Sequence, residues 1–268
     1  MSVKPTVLKL GGSVITNKKK PMTPNFQAIE RLANEISRAK VSSLILVHGG
    51  GSFGHPVAER YSIAEGFRDP SQIRGFSETH RAMTELNDLV MKALISYNIP
   101  AVEVQPSSCV ITKAGRIFNM ELRPLKKMLK MGFVPVLYGD AVLDSEKGFA
   151  ILSGDQLVSY LATKLGADRI VMGVDEDGLY TADPKTDSSA HLIERITLEE
   201  LKNLKHIIEG AKATDVTGGM LGKIFELTHA IEHKIKTLII NATKPQRVYK
   251  ALKGEKVRGT IIKKGETN

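Results

Sequence analysis

The amino-acid sequence predicts an α/β protein with a layered, largely parallel central sheet. Short runs of β-branched residues and leucine alternate with amphipathic helical patterns along nearly the whole chain, which is typical of parallel strands joined by right-handed helical crossovers. No internal repeat, low-complexity tract or long linker interrupts this alternation. With 268 residues, of which 42% are hydrophobic, the chain is long enough to bury a sizeable core.

The individual elements follow from the spacing of apolar residues and from the residues that begin or end helices. Strands are expected at residues 6–10, 43–47, 100–104, 133–137, 169–174, 237–240 and 259–262, and residues 141–144 and 149–152 have the pattern of a hairpin at a sheet edge. Helices are expected at residues 24–40, 76–97, 121–131, 153–165, 220–233 and 245–252, with a short helix after the Thr-x-x-Glu pattern at residues 197–200. A boundary near residues 166–168 divides this single domain into two lobes, residues 1–167 and 168–268.

The composition excludes several classes of protein. No apolar run approaches the roughly 18 residues that a membrane helix needs, and the N-terminus lacks the pattern of a signal peptide. A single cysteine, Cys109, cannot form an intrachain disulfide and suits a reducing compartment. We therefore expect a cytoplasmic protein with no membrane partner.

The net charge of +9 comes from 38 lysine and arginine residues against 29 acidic residues. The basic residues are scattered, with only residues 18–20 forming a run of lysines, and aromatic residues make up just 5% of the chain. No platform for stacking nucleic-acid bases is visible, so we expect no nucleic-acid partner. A positive field of this kind favours small anionic substrates.

The stretch at residues 47–56, Val-His-Gly-Gly-Gly-Ser-Phe-Gly-His-Pro, directly follows a buried strand. Three successive glycines allow backbone N–H groups to point into one concavity and let an anion approach closely. A helix that begins near Phe53 or Gly54 would direct its positive end at the same place. The stretch therefore predicts a phosphate site with His55 beside it, and the alternative is a tight turn with a surface histidine.

Other candidate phosphate ligands lie in or near glycine-rich turns. Residues 9–13, Lys-Leu-Gly-Gly-Ser, can place an ammonium over the turn that ends the first strand, although they lack the order of a P-loop. Residues 214–223 form a later glycine-rich stretch that opens a helix, with Lys223 one turn in. Lys18 lies in a polar loop, where a solvated charge is the simpler interpretation.

Acidic residues provide the remaining candidates. Asp155 falls in the first turn of a helix, where it is either a favourable charge at the helix N-terminus or a carboxylate that lies between lysines and aims them. Residues 173–185 form an acidic, glycine-bearing turn after a strand, but they lack the spacing of an EF-hand. No protein ligand to a metal is therefore predicted.

Five stretches in order resemble those of the amino acid kinase family, from Lys9 to Lys223 and on to the closing strand: residues 9–13, 47–56, Ser-Gly-Asp at 153–155, 173–185 and 214–223. Within the family, His-Gly-Gly-Gly-Ser-Phe-Gly-His at residues 48–55, Tyr61, Glu-Gly-Phe at residues 65–67 and Asp-Val-Thr-Gly-Gly-Met at residues 215–220 look most like the archaeal-type isopentenyl phosphate kinases. The resemblance implies a three-layer αβα sandwich, usually homodimeric. It also implies transfer of the ATP γ-phosphoryl group to isopentenyl phosphate in isoprenoid biosynthesis.

The resemblance further implies roles for individual residues. The N-terminal lobe would bind the acceptor phosphate through His55 and the backbone amides of Gly50 and Gly154, and the C-terminal lobe would bind ATP, whose Mg²⁺ is held by phosphates and water. The implied catalytic residues are Lys9, Lys18, His55, Asp155 and Lys223. The residues expected around ATP are Lys9, Gly11, Gly12, Ser13, Gly51, Asp175, Tyr180, Asp183, Gly219 and Lys223.

Two other functions are compatible with these residues. A kinase of the same fold could act on another small phosphonate or phosphomonoester such as fosfomycin, and an apolar acceptor pocket would distinguish the isopentenyl substrate. The second possibility is a non-catalytic nucleotide-binding or storage protein. The presence of Lys9, Lys18, Asp155 and Lys223 together argues against it, because binding alone does not require all four. The helix at residues 76–97 is expected to line the tail pocket with one or two side chains, such as Phe76 and Met83.

Overall fold

The computed structural model describes residues 4–182, 184, 186–203 and 218–265. Within these ranges the strands are β1 (Thr6–Leu10), β2 (Leu44–His48), β3 (Ala101–Glu103), β4 (Val110–Lys113), β5 (Arg116–Met120), β6 (Val134–Tyr138), β7 (Asp140–Asp144), β8 (Gly148–Leu152), β9 (Arg169–Val174), β10 (Arg195–Thr197), β11 (Lys236–Asn241) and β12 (Gly259–Lys263). The α-helices are α1 (Gly12–Ile15), α2 (Phe26–Ala39), α3 (Gly51–Arg60), α4 (Ser71–Ser96), α5 (Pro106–Cys109), α6 (Arg123–Met131), α7 (Gly154–Leu165), α8 (Gly218–Glu226), α9 (Thr228–Glu232) and α10 (Arg247–Lys253). Residues 198–203 are also helical. None of the helices in these described ranges is long and apolar enough to cross a membrane.

Eight strands form the central sheet in the order β10-β12-β11-β9-β1-β2-β6-β3. All neighbours in this sheet are parallel except β11 and β12. In the middle of the sheet, Lys9 on β1 lies opposite Val47 on β2 and Met172 on β9. The carboxyl ends of these three strands therefore meet at one edge, which is where open α/β sheets bind their ligands.

Helices cover both faces of the central sheet, so the molecule is a three-layer αβα sandwich. Side chains alternate along each strand, and Val7 packs into the core on one face while Leu8 packs into the core on the other. The first core includes Leu157 of α7, and the second includes Leu32 of α2 and Leu86 of α4. Burial of every residue of β1, β2 and β6 is typical of a parallel sheet covered on both sides. The predicted fold class is confirmed.

A second sheet of four strands has the order β5-β4-β7-β8. The expected hairpin is present as antiparallel β7 and β8. The structure also contains an antiparallel hairpin of β4 and β5, which the sequence patterns do not predict. Its two-residue turn has positive φ at both positions, 49° at Ala114 and 81° at Gly115, a geometry that Asn-Gly or Asp-Gly usually signals. The buried Asp144 carboxylate holds this turn by accepting hydrogen bonds from the N–H groups of Gly115, at 2.7 Å, and Ala114, at 3.2 Å.

Two helices begin earlier than their apolar patterns suggest. α3 begins at Gly51 rather than near Phe53 or Gly54, so the helix starts inside the glycine triplet. α4 begins at Ser71, five residues before the expected start, because its first turn carries no apolar stripe and its single large apolar side chain, Ile73, is exposed. The Asp69 carboxylate accepts a hydrogen bond from the Ser71 N–H at 2.7 Å and helps to begin this helix.

Candidate active site

A cavity of about 510 Å³ opens at the carboxyl ends of β1, β2 and β9. Its walls are the glycine-rich turns after β1 and β2, the first turn of α7 and one face of α4. The structure brings most of the predicted site residues to this cavity, namely Lys9, Gly11, Gly12, Ser13, Lys18, Gly50, Gly51, His55, Gly154, Asp155 and Lys223.

Of the residues expected around ATP, Asp175 and Tyr180 are not part of this cavity lining. Asp175 lies next to it and is bonded to Lys18, while Tyr180 forms a bridge with Leu192 on the loop before β10. Gly219 lies at the start of α8. Asp183 lies outside the described residues.

The two glycine-rich turns touch through their backbones. A Cβ atom placed on Gly12 would overlap the backbone nitrogen of Gly51, and one placed on Gly49 would lie 2.8 Å from the nitrogen of Gly12. The Gly49 N–H donates to the Leu10 carbonyl at 3.0 Å and fixes the pair further. These glycines are therefore required for the close approach of two chain segments, in addition to the approach of an anion.

Lys9 and Asp155 form a largely buried ion pair at the centre of the cavity. The Lys9 Nζ atom lies 2.5 Å from Asp155 Oδ1, and their side chains are 5% and 13% exposed. Burial lowers the pKa of Lys9, the Asp155 carboxylate opposes that effect, and the nearby Lys223 ammonium lowers the pKa further. Asp155 is placed by the start of α7, where the Ser153 hydroxyl caps the helix by accepting a hydrogen bond from the Gln156 N–H at 3.1 Å.

Lys18 is the first of three consecutive lysines and the one that lines the cavity. Its Nζ atom lies 2.8 Å from Asp175 Oδ2, with the lysine side chain 64% exposed. Partial burial acts to raise the pKa of Asp175, but the hydrogen bond and charge of Lys18, helped by Ser13, outweigh burial and lower it. The long, solvent-facing Lys18 side chain is held over the cavity by Asp175.

His55 lies on α3 near the ammonium groups of Lys9 and Lys223. Partial burial of its ring, which stays exposed overall, lowers the pKa of His55, and the ammonium groups of Lys9 and Lys223 lower it further, while Asp155 and Glu59 act in the opposite direction. A neutral imidazole carries one N–H, which can donate a hydrogen bond to a phosphate oxygen. The pattern at residues 47–56 therefore places a hydrogen-bond donor next to the ammonium groups.

Several cavity residues are absent from the predicted set, and three of them show why. Thr79 on α4 and Ile151 on β8 line the cavity, and so does Asp140, the first residue of β7. Asp140 has a visible signal, since Gly139-Asp140 follows a buried strand, but the sequence gives no partner for its carboxylate. No local pattern marks Thr79 or Ile151, which reach the cavity through tertiary packing.

Of the two side chains expected to line a tail pocket, the cavity includes Met83 but not Phe76. A Cβ atom on Gly50 or Gly54 would lie 2.9 or 2.6 Å from the Met83 sulfur, so this methionine packs directly on the glycine-rich turn. The Phe76 ring lies instead against the Phe149 ring, with centroids 5.7 Å apart.

The described residues contain no group of three or more His, Cys, Asp or Glu side chains placed to hold a metal ion. The acidic side chains nearest the cations, Asp155 and Asp175, are each paired with a lysine. These carboxylates orient ammonium groups in the structure.

The cavity, with its lysines and glycine-rich turns at the carboxyl edge of an αβα sheet, has the features of a site for transferring phosphoryl groups. The chain belongs to the amino acid kinase family, whose profile matches residues 4–241. It is 43% identical over 264 residues to an isopentenyl phosphate kinase of Methanothermobacter thermautotrophicus, covering 96% of this chain and 98% of that relative. It is 40% identical over 270 residues to an isopentenyl phosphate kinase of Methanocaldococcus jannaschii, with coverages of 96% and 98%. A solved isopentenyl phosphate kinase structure matches with a TM-score of 0.85 and 39% identity, covering 96% of this chain and 99% of that one.

Proposed function

We propose that this protein transfers the γ-phosphoryl group of ATP to isopentenyl phosphate, giving isopentenyl diphosphate and ADP for isoprenoid biosynthesis. The observation that carries the proposal is one cavity that is lined both by Lys9, Lys223 and His55 and by apolar side chains. The similarity to isopentenyl phosphate kinases over nearly the whole chain supports the same substrate.

The reaction needs positioning and positive charge more than it needs a protein nucleophile. An oxygen of the acceptor phosphate attacks the γ-phosphorus, the bond to the β,γ-bridging oxygen breaks, and that oxygen leaves on ADP. Two anions must approach each other, and charge spreads over the oxygens of the transferring group. Lys9 and Lys18 contact that group in this proposal, Lys223 contacts the ATP phosphates, and Asp155 reduces the mutual repulsion of the lysines.

On the acceptor side, His55 and the N–H groups of Gly50 and Gly154 hold the phosphate of isopentenyl phosphate. We assign this side to the N-terminal lobe, residues 1–167, and the nucleotide to the C-terminal lobe, residues 168–268. Around the nucleotide we place the turn of Gly11, Gly12, Ser13 and Gly51 on the phosphates, with Asp175, Tyr180, Asp183 and Gly219 towards the nucleoside.

The walls of the cavity favour an apolar acceptor. Met83, Ile151 and Leu152 are among its lining side chains. An isopentenyl chain can bury its methylene and methyl groups there, at roughly 0.8 kcal/mol for each CH₂ removed from water. A compact polar acceptor such as fosfomycin gains nothing from these side chains.

A substrate comparison tests the proposal directly. Purified protein with ATP and Mg²⁺ should phosphorylate isopentenyl phosphate with a higher kcat/KM than dimethylallyl phosphate or fosfomycin. A clear preference for fosfomycin would favour the alternative kinase, and ATP binding without turnover of any acceptor would favour a binding protein.

The same proposal covers the setting of the reaction. Mg²⁺ enters with ATP and is held by phosphate oxygens and water, so that activity disappears with EDTA and returns with added Mg²⁺. We also propose that the protein acts in the cytoplasm as a homodimer. Light scattering after gel filtration should give twice the 29.3 kDa chain mass, and a monomer mass would overturn the dimer.

A further inference from the structure

His80 and Asp140 form a pair at the wall of the cavity that the proposed reaction does not use. The His80 Nδ1 atom lies 3.0 Å from both carboxylate oxygens of Asp140. The Asp140 side chain is completely removed from water, and that of His80 is 27% exposed. Asp140 also accepts hydrogen bonds from the backbone N–H groups of Ala141, at 2.9 Å, and Ser107, at 3.3 Å. The carboxylate therefore joins α4, α5 and β7.

The pair is not part of a nucleophilic triad, although a serine lies next to it. The Ser107 hydroxyl oxygen lies 3.4 Å from His80 Nδ1, the nitrogen that already faces Asp140. In a triad the serine and the acid occupy opposite ring nitrogens, so that one can give up a proton while the other orients the ring. Activation of Ser107 by His80 is therefore excluded by geometry.

The position of Asp140 links it to the acceptor turn. Asp140 pairs with Leu152 in the β7–β8 hairpin, and Leu152 precedes Gly154 by two residues. A Cβ atom on the preceding residue, Gly139, would lie 3.3 Å from the Gly154 nitrogen, so these backbones are in contact. His80 lies between two residues of α4 that line the cavity, Thr79 and Met83. The pair thus connects α4 to the backbone beside Gly154.

The charge of Asp140 makes this connection more than a structural contact. A buried carboxylate beside a site for two phosphates repels both of them unless a cation neutralises it. The hydrogen bond that His80 donates to Asp140 raises the pKa of His80, partial burial opposes the rise, and the charges of Asp140 and Glu103 add to it. Within the described part of the chain, Cys109 and Tyr138 also lie near Asp140, and neither can supply a positive charge.

We propose that His80 is a positioning residue for the acceptor: its imidazolium neutralises Asp140 and holds the turn that presents the Gly154 amide to the acceptor phosphate. This role rests on the proposed function, because it assigns His80 to the acceptor side of that reaction. His80 itself contacts neither phosphate in this arrangement.

Steady-state kinetics of His80→Ala and His80→Gln test the role, with His229→Gln, an exposed histidine on α9, as the matched control. His80→Ala should raise the KM for isopentenyl phosphate about tenfold or more, since a hydrogen bond to a charged group is lost. The KM for ATP and kcat should stay within about twofold of the wild type. His80→Gln keeps a hydrogen-bond donor without the positive charge, so its KM for isopentenyl phosphate should lie between those of the wild type and His80→Ala. An unchanged acceptor KM in His80→Ala, or equal losses for both substrates, would overturn the proposal.

An NMR titration of the histidine rings gives a readout that does not depend on turnover. The His80 signal, assigned by its loss in His80→Gln, should titrate at higher pH in the wild type than in Asp140→Asn. An unshifted titration would show that Asp140 does not hold the imidazolium, and would overturn the role even in an active enzyme. Absence of isopentenyl phosphate turnover in the wild type would overturn the proposed function instead, while the NMR result still decides the pairing.

Discussion

The Lys9 ammonium and the Asp155 carboxylate lie 2.5 Å apart, one on the central strand of the sheet and the other in the first turn of α7. The carboxylate offsets part of the positive charge that Lys9 and the nearby Lys223 bring to the cavity. The pair therefore has two effects: it allows a cation to be buried, and it fixes the direction of the Lys9 ammonium.

Asp155→Asn should remove both effects. The substitution leaves Lys9 buried without its counter-charge, so we expect the free energy of unfolding to fall by about 3 kcal/mol. Turnover should fall as well, because Lys9 is no longer oriented. Urea unfolding and kcat measure the two quantities, and the double variant Lys9→Met with Asp155→Leu should recover stability without activity. Wild-type stability in Asp155→Asn would contradict the buried pair.

Lys18→Ala should reduce kcat/KM by about a hundredfold, the scale for loss of one group that stabilises transition-state charge. Stability should hardly change, because an exposed ion pair such as Lys18 with Asp175 contributes little. Lys19→Ala is the matched control, since Lys19 is a neighbouring lysine outside the cavity lining. A larger kinetic loss in Lys19→Ala than in Lys18→Ala would shift the assignment by one residue.

His55→Ala should lower kcat/KM for isopentenyl phosphate by about 10²–10³, if the ring donates a hydrogen bond to the acceptor phosphate in the transition state. His55→Gln should keep part of the activity, since an amide N–H can also donate. Kinetics with isopentenyl phosphate as the varied substrate measure the effect. Normal turnover in His55→Ala would remove this residue from the mechanism.

Gly12→Ala should disrupt the site, because the new Cβ atom meets the backbone of Gly51, which cannot rotate away as a side chain can. We expect a loss of stability of at least about 2 kcal/mol, together with loss of activity. Gly222→Ala is the control, since a Cβ atom there meets nothing within 4 Å and the position is helical. Thermal unfolding of the two variants should differ, with Gly222→Ala as stable as the wild type or slightly more stable.

The Asp144 carboxylate provides a prediction for pH dependence. Burial acts to raise the pKa of Asp144, but the hydrogen bonds from the N–H groups of Gly115, Lys147 and Glu146 outweigh burial and lower it. Because its pKa is lower in the folded than in the unfolded chain, Asp144 stabilises the fold above pH 3.8, its ordinary pKa. That contribution is lost as the pH falls further.

Asp144→Asn should therefore cost about 2 kcal/mol at pH 7, and the difference from wild type should shrink as the pH falls below the ordinary pKa. Urea unfolding over a pH series measures this trend. Asp88→Asn is the control, since Asp88 forms an exposed ion pair with Lys92 on α4. Its free energy of unfolding should equal that of the wild type throughout the pH series. A constant difference across the series would contradict the lowered pKa.

The strands of the central sheet and most of the cavity residues could be predicted from the sequence because their signals are local. An apolar run followed by glycines, as at residues 44–51, marks both a buried strand and the turn after it. The hairpin of β4 and β5 could not be predicted in this way, because its turn is Ala114-Gly115 and because Phe118 is 68% exposed, against the alternation expected for a strand.

The His80–Asp140 pair shows a second limit. The two residues are 60 positions apart, and neither lies in a pattern that points to the other. Only the packing of α4 on the second sheet brings them together. The same holds for the pairing of Lys18 with Asp175, which lie 157 positions apart.

The contact between Gly12 and Gly51 also bears on how such a protein can change over evolutionary time. The two turns, which the proposed function places at the phosphates, meet main chain to main chain, so this backbone contact sets the distance between them. Substitutions at Thr79, Met83 or Ile151 can alter which acceptor tail fits while the path of the phosphoryl group keeps its length. Substrate range and reaction chemistry are thereby free to diverge separately within one scaffold.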